Sequence, residues 1–416
     1  MRIPAANVLL LAAGLGGLLG GCADSRQRAA VLWTDRPEFT LYAELFNTSQ
    51  SEYKVEVRYF ESPAQKLTEG GERPDLAAAC WLRGASTRDL FSPLEPLFKK
   101  GLPAEAFYPR LLSLGGIEGR QYLLPVSFNL PALVFPQAYG SALSNPLTIS
   151  LAEIQEKGRA YNRFSRGQYT RMGFSPAWDD SFLYITAALY NASFREDSPL
   201  SWNQKALDEA MDYAHDWTAQ SNSGLQAEDD FVFKYLYDPP ATLVLSGRIL
   251  FAYMGSARLF TLAEDRRAGL DFRWVSENAL IPLDEQSVYM GICKKAKAPD
   301  AARAFVLWFF QDDTQRAILA FSRANRMDEN AFGIAGGFSG MRSVTEQVFP
   351  QFYQGLIGRM PPEAFLSPPA ILPHTWTAMK ERVILPYLRD RARASGGEGV
   401  QPLERRLAEW VRVNKG

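Results

Sequence analysis

The sequence predicts an α/β protein with more than one compact unit. Short apolar runs of strand length alternate with amphipathic helical stretches from residue 31 onward, an order typical of a parallel sheet covered by helices. The chain has 416 residues, and its hydrophobic share of 47% allows large buried cores and excludes a globally disordered chain. At about 150 residues per domain, this length predicts two to three domains. Because no change of composition marks a flexible linker, we expect strands to join the units.

The first elements follow one another in strand–helix order. Residues 31–33 form a short apolar run that predicts a strand, and Phe39, Tyr42 and Phe46 then recur at helical spacing. Residues 55–59 alternate between apolar and polar side chains, which predicts a second strand. The other predicted elements are a strand at 76–81 and helices at 207–217, 302–309 and 403–411.

The charge and residue counts disfavour several classes of function. The 45 basic and 46 acidic residues leave a net charge of −1, so no excess of positive charge is present to neutralise a nucleic-acid backbone. The two histidines, His215 and His374, are far apart, so neither a histidine metal site nor a Ser-His-Asp triad is expected. The adjacent Asp179 and Asp180 are poorly placed to act about 5–9 Å apart across one glycosidic bond. We therefore expect no catalytic residue, no metal and no cofactor.

The N-terminal segment has the pattern of a bacterial lipoprotein signal. Arg2 precedes an apolar stretch at 8–19, which is too short to span about 30 Å of hydrocarbon but has the length of a signal-peptide core. The segment ends in Leu-Gly-Gly before Cys22, an order that resembles a lipobox. We expect removal of residues 1–21 and lipidation of Cys22. The alternatives are an ordinary signal peptide with a chance cysteine, or a short anchor helix.

Lipidation would attach the mature chain to a membrane through its first residue. Residues 22–29 are short and mostly polar, which suits a tether, and no later stretch stays apolar for about 18 residues. The expected location is the cell envelope, on the periplasmic or extracellular face, with membrane contact only through the lipid on Cys22.

Five segments of the chain together form a recognisable series. They are 31–47 (VLWTDRPEF…AELFN), 74–81 (PDL…W), 119–129 (GRQYLLPVSFN), 245–256 (LSGR…YMGS) and 291–310 (GICKKAK…WFF). In this order they resemble the bacterial extracellular solute-binding proteins of sugar ABC importers, the family 1 type in the fold group of maltose-binding proteins. The resemblance extends over nearly the whole mature chain.

Three departures from the family pattern fall at places that would face a ligand cleft. Phe-Pro stands at 135–136 where the family often has Tyr-Asn, and Ala-Arg at 257–258 replaces a frequent aromatic residue. The segment at 340–343 lacks the usual proline. The resemblance therefore supports the fold more strongly than it supports any particular ligand.

The resemblance implies a two-lobe periplasmic-binding-protein fold (type II), in which each lobe is a mixed, mostly parallel sheet flanked by helices. The implied divisions are 30–129 plus 284–338 for lobe one, and 130–283 plus 339–416 for lobe two. Crossing segments are expected near 127–137, 278–286 and 337–345. Ligand would bind in the cleft between the lobes, where strand ends and helix N-termini converge, and a hinge motion would close the cleft.

In lobe one, the implied site lies at strand ends and on the first crossing segment. A sugar site needs planar rings to stack on and polar groups to bind hydroxyls. The ligand-binding candidates in this lobe are Trp33, Asp35, Arg36, Trp81, Ser127 and Asn129. The alternative is a core position for Trp33 and a helix cap for Asp35. The two crossing-segment residues could instead satisfy backbone groups of the hinge.

In lobe two, the candidates lie after an apolar run and at a helix start. Trp178 and Asp179 combine an aromatic ring with a carboxylate, as a sugar site requires. Tyr253 and Ser256 belong to a segment that would present backbone N–H groups to the cleft. The alternative for Trp178 is a ring packed inward beneath a surface loop.

Cys80 and Cys293 raise a separate question. If the resemblance holds, they lie in two strands of lobe one that could be neighbours. A disulfide and two free buried thiols both stay open, since a disulfide needs Cα atoms within about 7 Å.

The function that the resemblance implies is substrate binding for an ABC importer. The chain would be a monomer that binds a carbohydrate, with an oligosaccharide as the expected ligand, and delivers it to permease subunits in the membrane. Two alternatives stay open. The same scaffold could bind a non-sugar such as an anion, a polyamine or a peptide, or the chain could be a surface interaction protein without transport.

Overall fold

A computed structural model describes residues 29–198 and 200–414. The expected signal peptide at 1–21 and the lipid site at Cys22 lie outside the described residues. Within the described ranges, no helix combines the length and the apolar character needed to cross a membrane.

The first sheet has six strands. In spatial order they are Phe338–Ser339, Leu124–Phe128, Val288–Ile292, Leu76–Ala79, Ala30–Thr34 and Val55–Tyr59. Four of the six point the same way, and the first and third in this order run opposite to them. The three strands predicted near the N-terminus are therefore confirmed as parallel neighbours at one side of this sheet.

The helix after the first strand has the apolar face that its spacing predicts. Helix Phe39–Ser49 buries Phe39 and Phe46 against the first sheet's core. The ring of Phe46 meets that of Phe305 edge-on with centroids 5.4 Å apart, and Phe305 lies on helix Pro299–Phe309. Two helices predicted from separate parts of the chain thus cover the same sheet.

The second sheet has four strands and a core of its own. In spatial order they are Ala252–Gly255, Pro131–Pro136, Leu270–Val275 and Thr148–Ile149. Three of the four point the same way, and Pro131–Pro136 runs opposite to them. Leu133 and Phe135 from the opposite strand pack with Trp217 of helix Gln204–Ser221. The helix predicted at 207–217 is part of this longer helix.

The remaining helices cover the two sheets and the outer surface. They are Pro63–Thr68, Glu95–Phe98, Pro109–Ser113, Leu151–Tyr161, Asp180–Leu189, Leu225–Tyr235, Pro240–Leu245, Ser256–Phe260, Glu264–Arg267, Asp312–Ala324, Phe349–Phe352, Trp376–Met379, Leu385–Arg393 and Leu403–Asn414. The short paired strands are Gly116–Ile117 with Arg120–Gln121, Arg163–Ser165 with Gln168–Arg171, Arg195–Glu196 with Leu200–Ser201, and Ile281–Pro282 with Leu366–Ser367.

Two links between the sheets fall where crossing segments were expected. Strand Leu124–Phe128 of the first sheet leads to Pro131–Pro136 of the second, and Leu270–Val275 of the second leads back to Val288–Ile292 of the first. At the first place the two strands are consecutive in the chain, and at the second only the two-residue strand Ile281–Pro282 lies between them.

The third link lies later in the chain than the expected 337–345. Phe338–Ser339 still pairs with the first sheet, where it completes the edge beside Leu124–Phe128. Beyond it, Leu366–Ser367 pairs with Ile281–Pro282, in the segment between the two sheets. The limits given above for the two lobes stay a prediction.

Candidate functional site

The carboxyl ends of two parallel strands bring Asp35, Arg36 and Cys80 together. Asp35 Oδ2 accepts a hydrogen bond from Cys80 N at 3.1 Å, and Arg36 Nη2 donates to Cys80 Sγ at 3.0 Å. Arg36 Nε also lies 3.5 Å from Asp35 Oδ1. The helix-cap alternative for Asp35 is not realised, because the following helix begins only at Phe39 and the carboxylate is bound to the neighbouring turn. Burial raises the pKa of Asp35, and the nearby guanidinium acts in the opposite direction.

Trp33 is not presented at this edge as a ligand contact. Its side chain is 1% exposed, and its ring lies against Phe60 with centroids 4.8 Å apart. Neighbouring side chains of a strand point to opposite faces of the sheet, so a residue at a strand end can still be directed into the core. The core alternative therefore describes Trp33 in this structure.

Trp81 lies between the two lobes. It follows strand Leu76–Ala79 with a φ of 63°, a strained backbone conformation for a residue other than glycine. Its side chain is 9% exposed, and Nε1 donates to Thr377 Oγ1 at 3.1 Å. Thr377 is adjacent to Trp376, whose ring lies 6.1 Å from that of Tyr184 on the second-lobe side. The indole of Trp81 is therefore bound to helix Trp376–Met379, which the predicted division assigns to the second lobe.

The polar side chains of the first crossing segment are engaged by the protein itself. Asn129 Nδ2 donates to Gly336 O at 2.9 Å, and Asn129 Oδ1 accepts from Ser256 Oγ at 2.6 Å. The Ser256 hydroxyl in turn accepts from Leu130 N at 3.1 Å. Ser127 Oγ donates to the backbone carbonyl that precedes Gly336, at 3.2 Å. The hinge alternative therefore describes Ser127, Asn129 and also Ser256, because their bonding groups are used in joining the crossing segment to its neighbours.

Trp178 and Asp179 are also engaged locally. The ring of Trp178 stacks on Phe231 with centroids 5.7 Å apart and planes inclined by 15°, as the inward-packing alternative predicts. Asp179 Oδ1 accepts from Ser181 N at 2.8 Å and caps helix Asp180–Leu189. One face of the indole is therefore covered by protein, and the carboxylate already has a backbone partner.

Asp284 is a cleft residue that the sequence analysis missed. It lies in the second crossing segment, and its Oδ1 accepts from Gln286 N at 2.8 Å. Burial and the adjacent Glu285 raise the pKa of Asp284 to about 6, while Lys380 and Arg36 act in the opposite direction. Arg36 belongs to the turn after the first strand, and Lys380 belongs to the C-terminal helices. The charges of two separate segments therefore act on Asp284. The only signal in the sequence was a pair of carboxylates inside an expected crossing segment.

Glu285 is the buried partner of Lys380. Its side chain is 3% exposed, it forms an ion pair with Lys380, and Trp376 Nε1 lies 3.5 Å from Glu285 Oε1. Lys380 Nζ also lies 4.1 Å from the centroid of the Tyr184 ring, a distance suited to cation–π attraction. The pair is therefore held in place by aromatic side chains.

Tyr184 and Tyr253 both lie near the carboxylates of Asp284 and Glu285. Burial raises the pKa of both Tyr184 and Tyr253, and Asp284 and Glu285 add to the effect in each case. Neither hydroxyl oxygen is among the buried polar atoms that lack a hydrogen-bond partner in the described part of the chain. Tyr253 was predicted from the sequence, whereas Tyr184 was missed because it lies in the apolar run of a buried helix.

The two cysteines of the described chain are free and buried. The strands that precede them, Leu76–Ala79 and Val288–Ile292, are neighbours as expected, but they run antiparallel. Cys80 and Cys293 each follow the carboxyl end of their strand, so they lie at opposite ends of the strand pair. Burial raises the pKa of each thiol to about 12.

The surroundings of Asp284 bring together aromatic rings, carboxylates, tyrosine hydroxyls and two bases, groups that are typical of sites for polar ligands. Across residues 29–198 and 200–414, no group of three or more His, Cys, Asp or Glu side chains is arranged to hold a metal ion.

No protein-family model and no curated protein sequence matches the chain. Solved structures match it along nearly its whole length. The sugar-binding protein MalE from Xanthomonas citri has a TM-score of 0.65 at 14% identity, over 94% of this chain and 100% of that one. An ABC substrate-binding protein from Listeria monocytogenes in complex with cycloalternan has a TM-score of 0.60 at 12% identity, over 93% and 98%. UgpB from Mycobacterium tuberculosis in complex with glycerophosphocholine has a TM-score of 0.58 at 14% identity, over 94% and 100%.

These similarities confirm the predicted α/β fold with two lobes, of the kind found in maltose-binding proteins. The chain's structural neighbours include ABC substrate-binding proteins and sugar-binding proteins. At these identities the likeness concerns the fold, and the ligand of each neighbour is a property of that neighbour.

Proposed function

We propose that this chain is a lipid-anchored substrate-binding protein of an ABC importer, and that it binds a carbohydrate in the cleft between its lobes. The observation that carries the proposal is the group formed by Asp284, Tyr184 and Tyr253 in the cleft of a fold shared with sugar-binding proteins. Rings suit the apolar faces of a sugar, and carboxylates and hydroxyls suit its hydroxyl groups. An oligosaccharide is the favoured ligand, since structural neighbours hold cycloalternan and mannotriose.

Binding would act by closing the two lobes around the ligand. Besides the indole contact of Trp81, two further contacts join the lobes at this rim. Ala85 N donates to Glu196 Oε2 at 2.8 Å, and Ser86 Oγ lies 3.0 Å from His374 Nδ1. A ligand held by both lobes would add to these contacts and shift the equilibrium toward the closed conformation. A micromolar affinity corresponds to about −8 kcal/mol, which is ample for such a shift.

Delivery would follow from the closed conformation. Permease subunits in the membrane would recognise the closed lobes, and the lipid on Cys22 would keep the protein on the periplasmic or extracellular face of the membrane, within reach of them. We infer no catalytic step, because Glu285 is engaged by Lys380, and Asp35 is engaged by Arg36 and by the backbone of Cys80. The neighbours described above are binding proteins as well.

The ligand class is tested by thermal unfolding of the mature protein against a panel of monosaccharides and oligosaccharides, followed by calorimetric titration. A saturating sugar at 100 times its Kd should stabilise the protein by about 2.7 kcal/mol, which raises Tm by several degrees. If no saccharide raises Tm, the carbohydrate proposal is wrong.

The anchor is tested separately from the ligand. Cells that express the full chain are supplied with labelled palmitate, and the Cys22→Ala variant serves as the control. Label should enter the wild-type protein and be absent from the variant, which should also leave the membrane fraction. Label retained by the variant would contradict lipidation at Cys22.

A non-sugar ligand is the second candidate, and the charged groups of the cleft favour it. Arg36, Lys380 and Asp284 could bind an ionic ligand, and the neighbour UgpB is described with glycerophosphocholine bound. Polyamines, anions and short peptides therefore belong in the same thermal panel. A rise in Tm with one of these and with no saccharide would favour the second candidate.

A further inference from the structure

A pocket of about 480 Å³ is lined by none of the ligand-binding candidates described above. Part of its lining comes from the start of strand Leu270–Val275 in the second sheet and from the end of helix Ser256–Phe260. Another part comes from the end of helix Asp312–Ala324 and from the turn after helix Phe349–Phe352. Sites for small molecules usually have volumes of about 300–1,000 Å³, so this pocket is large enough for a second ligand.

Three arginines line the pocket, and they differ in their partners. Arg359 forms an ion pair with Asp271, and the Asp271 carboxylate also accepts a hydrogen bond from Arg273 at 3.0 Å. Arg267 and Arg323 pair with no carboxylate in the part of the chain that the structure describes. The charge of Asp271 is therefore already compensated, whereas the positive charges of Arg267 and Arg323 are not.

Backbone carbonyls hold both of these arginines in place. Arg267 Nη1 donates to Phe260 O at 3.1 Å, and Arg323 Nη1 donates to Phe352 O. Each acceptor is the last residue of a short helix, so each arginine caps a helix C-terminus. A guanidinium group has several N–H donors, and among the described residues each cap uses a single donor. Both side chains are therefore positioned by the fold while most of their donors stay available.

The charges of both arginines act on one atom of the pocket wall, the hydroxyl oxygen of Tyr353. This oxygen accepts a hydrogen bond from Gly333 N at 3.0 Å. Burial raises the pKa of Tyr353 to about 12 and Asp328 adds to this effect, while the bond from Gly333, Arg267 and Arg323 act in the opposite direction. Two uncompensated positive charges therefore lie around the same part of the pocket.

Aromatic rings supply the apolar part of the pocket. Phe260 meets Phe272 edge-on with centroids 5.7 Å apart, and it meets Tyr353 edge-on at 5.6 Å. The guanidinium of Arg359 lies over the ring of Phe272, 5.2 Å from its centroid. These rings keep water away from one side of the pocket, and charged groups attract each other more strongly where water is excluded.

We propose that this pocket is a second binding site, that its ligand is a phosphate group, free or as a monoester, and that Arg267 and Arg323 bind it. A guanidinium group binds phosphate oxygens through paired, charge-assisted hydrogen bonds. A phosphate group has enough oxygens for two guanidinium groups, whereas the two oxygens of a carboxylate are used by one. The exposed carboxylate of Glu264 also lines the pocket and opposes the anion. The inference goes beyond the function proposed above and does not depend on it.

Calorimetric titration of the mature protein with inorganic phosphate tests the ligand class. Sodium chloride keeps the ionic strength constant, and saturable binding at a single site is expected. Phenyl phosphate is the second probe, because its ring can pack against the aromatic side chains of the pocket. Tighter binding of phenyl phosphate would identify a monoester as the ligand and equal or weaker binding would identify free phosphate, and both results support the proposal. If neither probe binds saturably, the proposal is wrong.

Two variants of equal net charge test the residue assignment. Arg266→Ala and Arg267→Ala each remove one arginine from helix Glu264–Arg267, but only Arg267 lines the pocket. Phosphate affinity should fall at least about tenfold in Arg267→Ala and stay within about twofold in Arg266→Ala, because Arg266 is exposed. Arg323→Ala should behave like Arg267→Ala. Glu264→Gln should bind phosphate more tightly than the wild type, because it removes a repelling charge.

Thermal unfolding without phosphate verifies that each variant is folded. Phosphate also stabilises proteins in general by exclusion from their surfaces, so the comparison between variants decides the question. Equal phosphate affinity in Arg266→Ala and Arg267→Ala would overturn the proposal and leave the arginines as helix caps. If Arg267→Ala does not fold, Glu264→Gln decides, since its carboxylate is exposed, and an affinity no higher than that of the wild type would overturn the proposal. Carbohydrate binding in the cleft stands or fails independently of these results.

Discussion

The indole Nε1 of Trp81 donates a hydrogen bond to the Thr377 hydroxyl at 3.1 Å, and this bond joins the turn after strand Leu76–Ala79 to helix Trp376–Met379. Trp81 was selected from the sequence as a ring for sugar stacking. In the structure its side chain is 9% exposed and its polar atom is bound to the opposite lobe. The residue therefore connects lobe closure to the rim of the cleft.

Replacing Thr377 by valine should weaken closure while keeping the shape of the side chain. Loss of the acceptor leaves the indole N–H without a partner, which costs about 1 kcal/mol in the closed form. We expect ligand affinity to fall roughly fivefold. Calorimetry and small-angle scattering measure the affinity and the lobe separation. Thr40→Val, on the exposed side of helix Phe39–Ser49, is the control, and an unchanged affinity in Thr377→Val would show that the bond does not support closure.

Replacing Trp178 by alanine should reduce stability more than binding. The stack with Phe231 is lost, and a buried Trp→Ala change costs at most about 3–5 kcal/mol, less here because Trp178 is only half-buried. Urea unfolding measures this loss. Tyr237→Ala removes an aromatic ring that is 77% exposed and should leave stability nearly unchanged. Full stability of Trp178→Ala together with lost binding would instead restore the sugar-stacking interpretation.

Replacing Asn129 by alanine should destabilise the hinge. The substitution removes the acceptor of the Ser256 hydroxyl and the donor to Gly336 O. Leaving such buried groups without partners costs about 1–3 kcal/mol. Chemical unfolding measures this loss of stability. Asn145→Ala in an exposed turn is not a clean control, because the Asn145 side chain also binds backbone N–H groups. Gln226→Ala, on an exposed helix surface, is preferable, and equal stability of the two variants would contradict the role of Asn129.

The ionisation of Asp284 should lower the stability of the ligand-free protein as pH rises. Burial and Glu285 raise its folded-state pKa to about 6, above the value in the unfolded chain. Between about pH 4 and pH 6 the folded state therefore binds more protons, so its free energy of unfolding falls as pH rises, by about 2 kcal/mol for this group. Asp284→Asn should be more stable than the wild type at neutral pH and equal to it near pH 4.

Unfolding curves at several pH values measure this difference. Asp300→Asn should follow the wild-type pH dependence, because its carboxylate is 74% exposed. The predicted sign would be wrong if the free energy of unfolding of the wild type rose between about pH 4 and pH 6 and that of Asp284→Asn did not.

Cys80 and Cys293 should both titrate as free thiols after denaturation. They lie at opposite ends of an antiparallel strand pair, so no disulfide joins them in this structure. The thiol count of the mature, denatured protein should be the same with and without reductant. An increase on reduction would show a bond between them.

Much of the fold was predictable because its signals are local. The alternation at 55–59 and the helical spacing of Phe39, Tyr42 and Phe46 record which face of each element is buried. The third crossing was placed too early, at 337–345, because an edge strand such as Phe338–Ser339 is only two residues long and leaves no periodic signal.

The site was less predictable than the fold. Trp33, Asn129 and Trp178 have the right chemistry for a sugar, but a sequence does not show whether a polar atom or a ring face is already used by the protein. In the structure each of the three is packed or hydrogen-bonded internally. Asp284 and Tyr184 were missed because nothing in their local sequence shows which groups from other segments surround them.

The sequence by itself determined the order of strands and helices, the two-lobe fold through its resemblance, and the expectation of a lipid on Cys22. Only the tertiary structure decided which side chains meet in the cleft. The environment of Asp284 is assembled from Arg36, Lys380 and Tyr184, which are far apart in the chain. The charge balance of a binding site depends on distances between such segments, whereas periodicity in a sequence reports only the burial of each element's own faces.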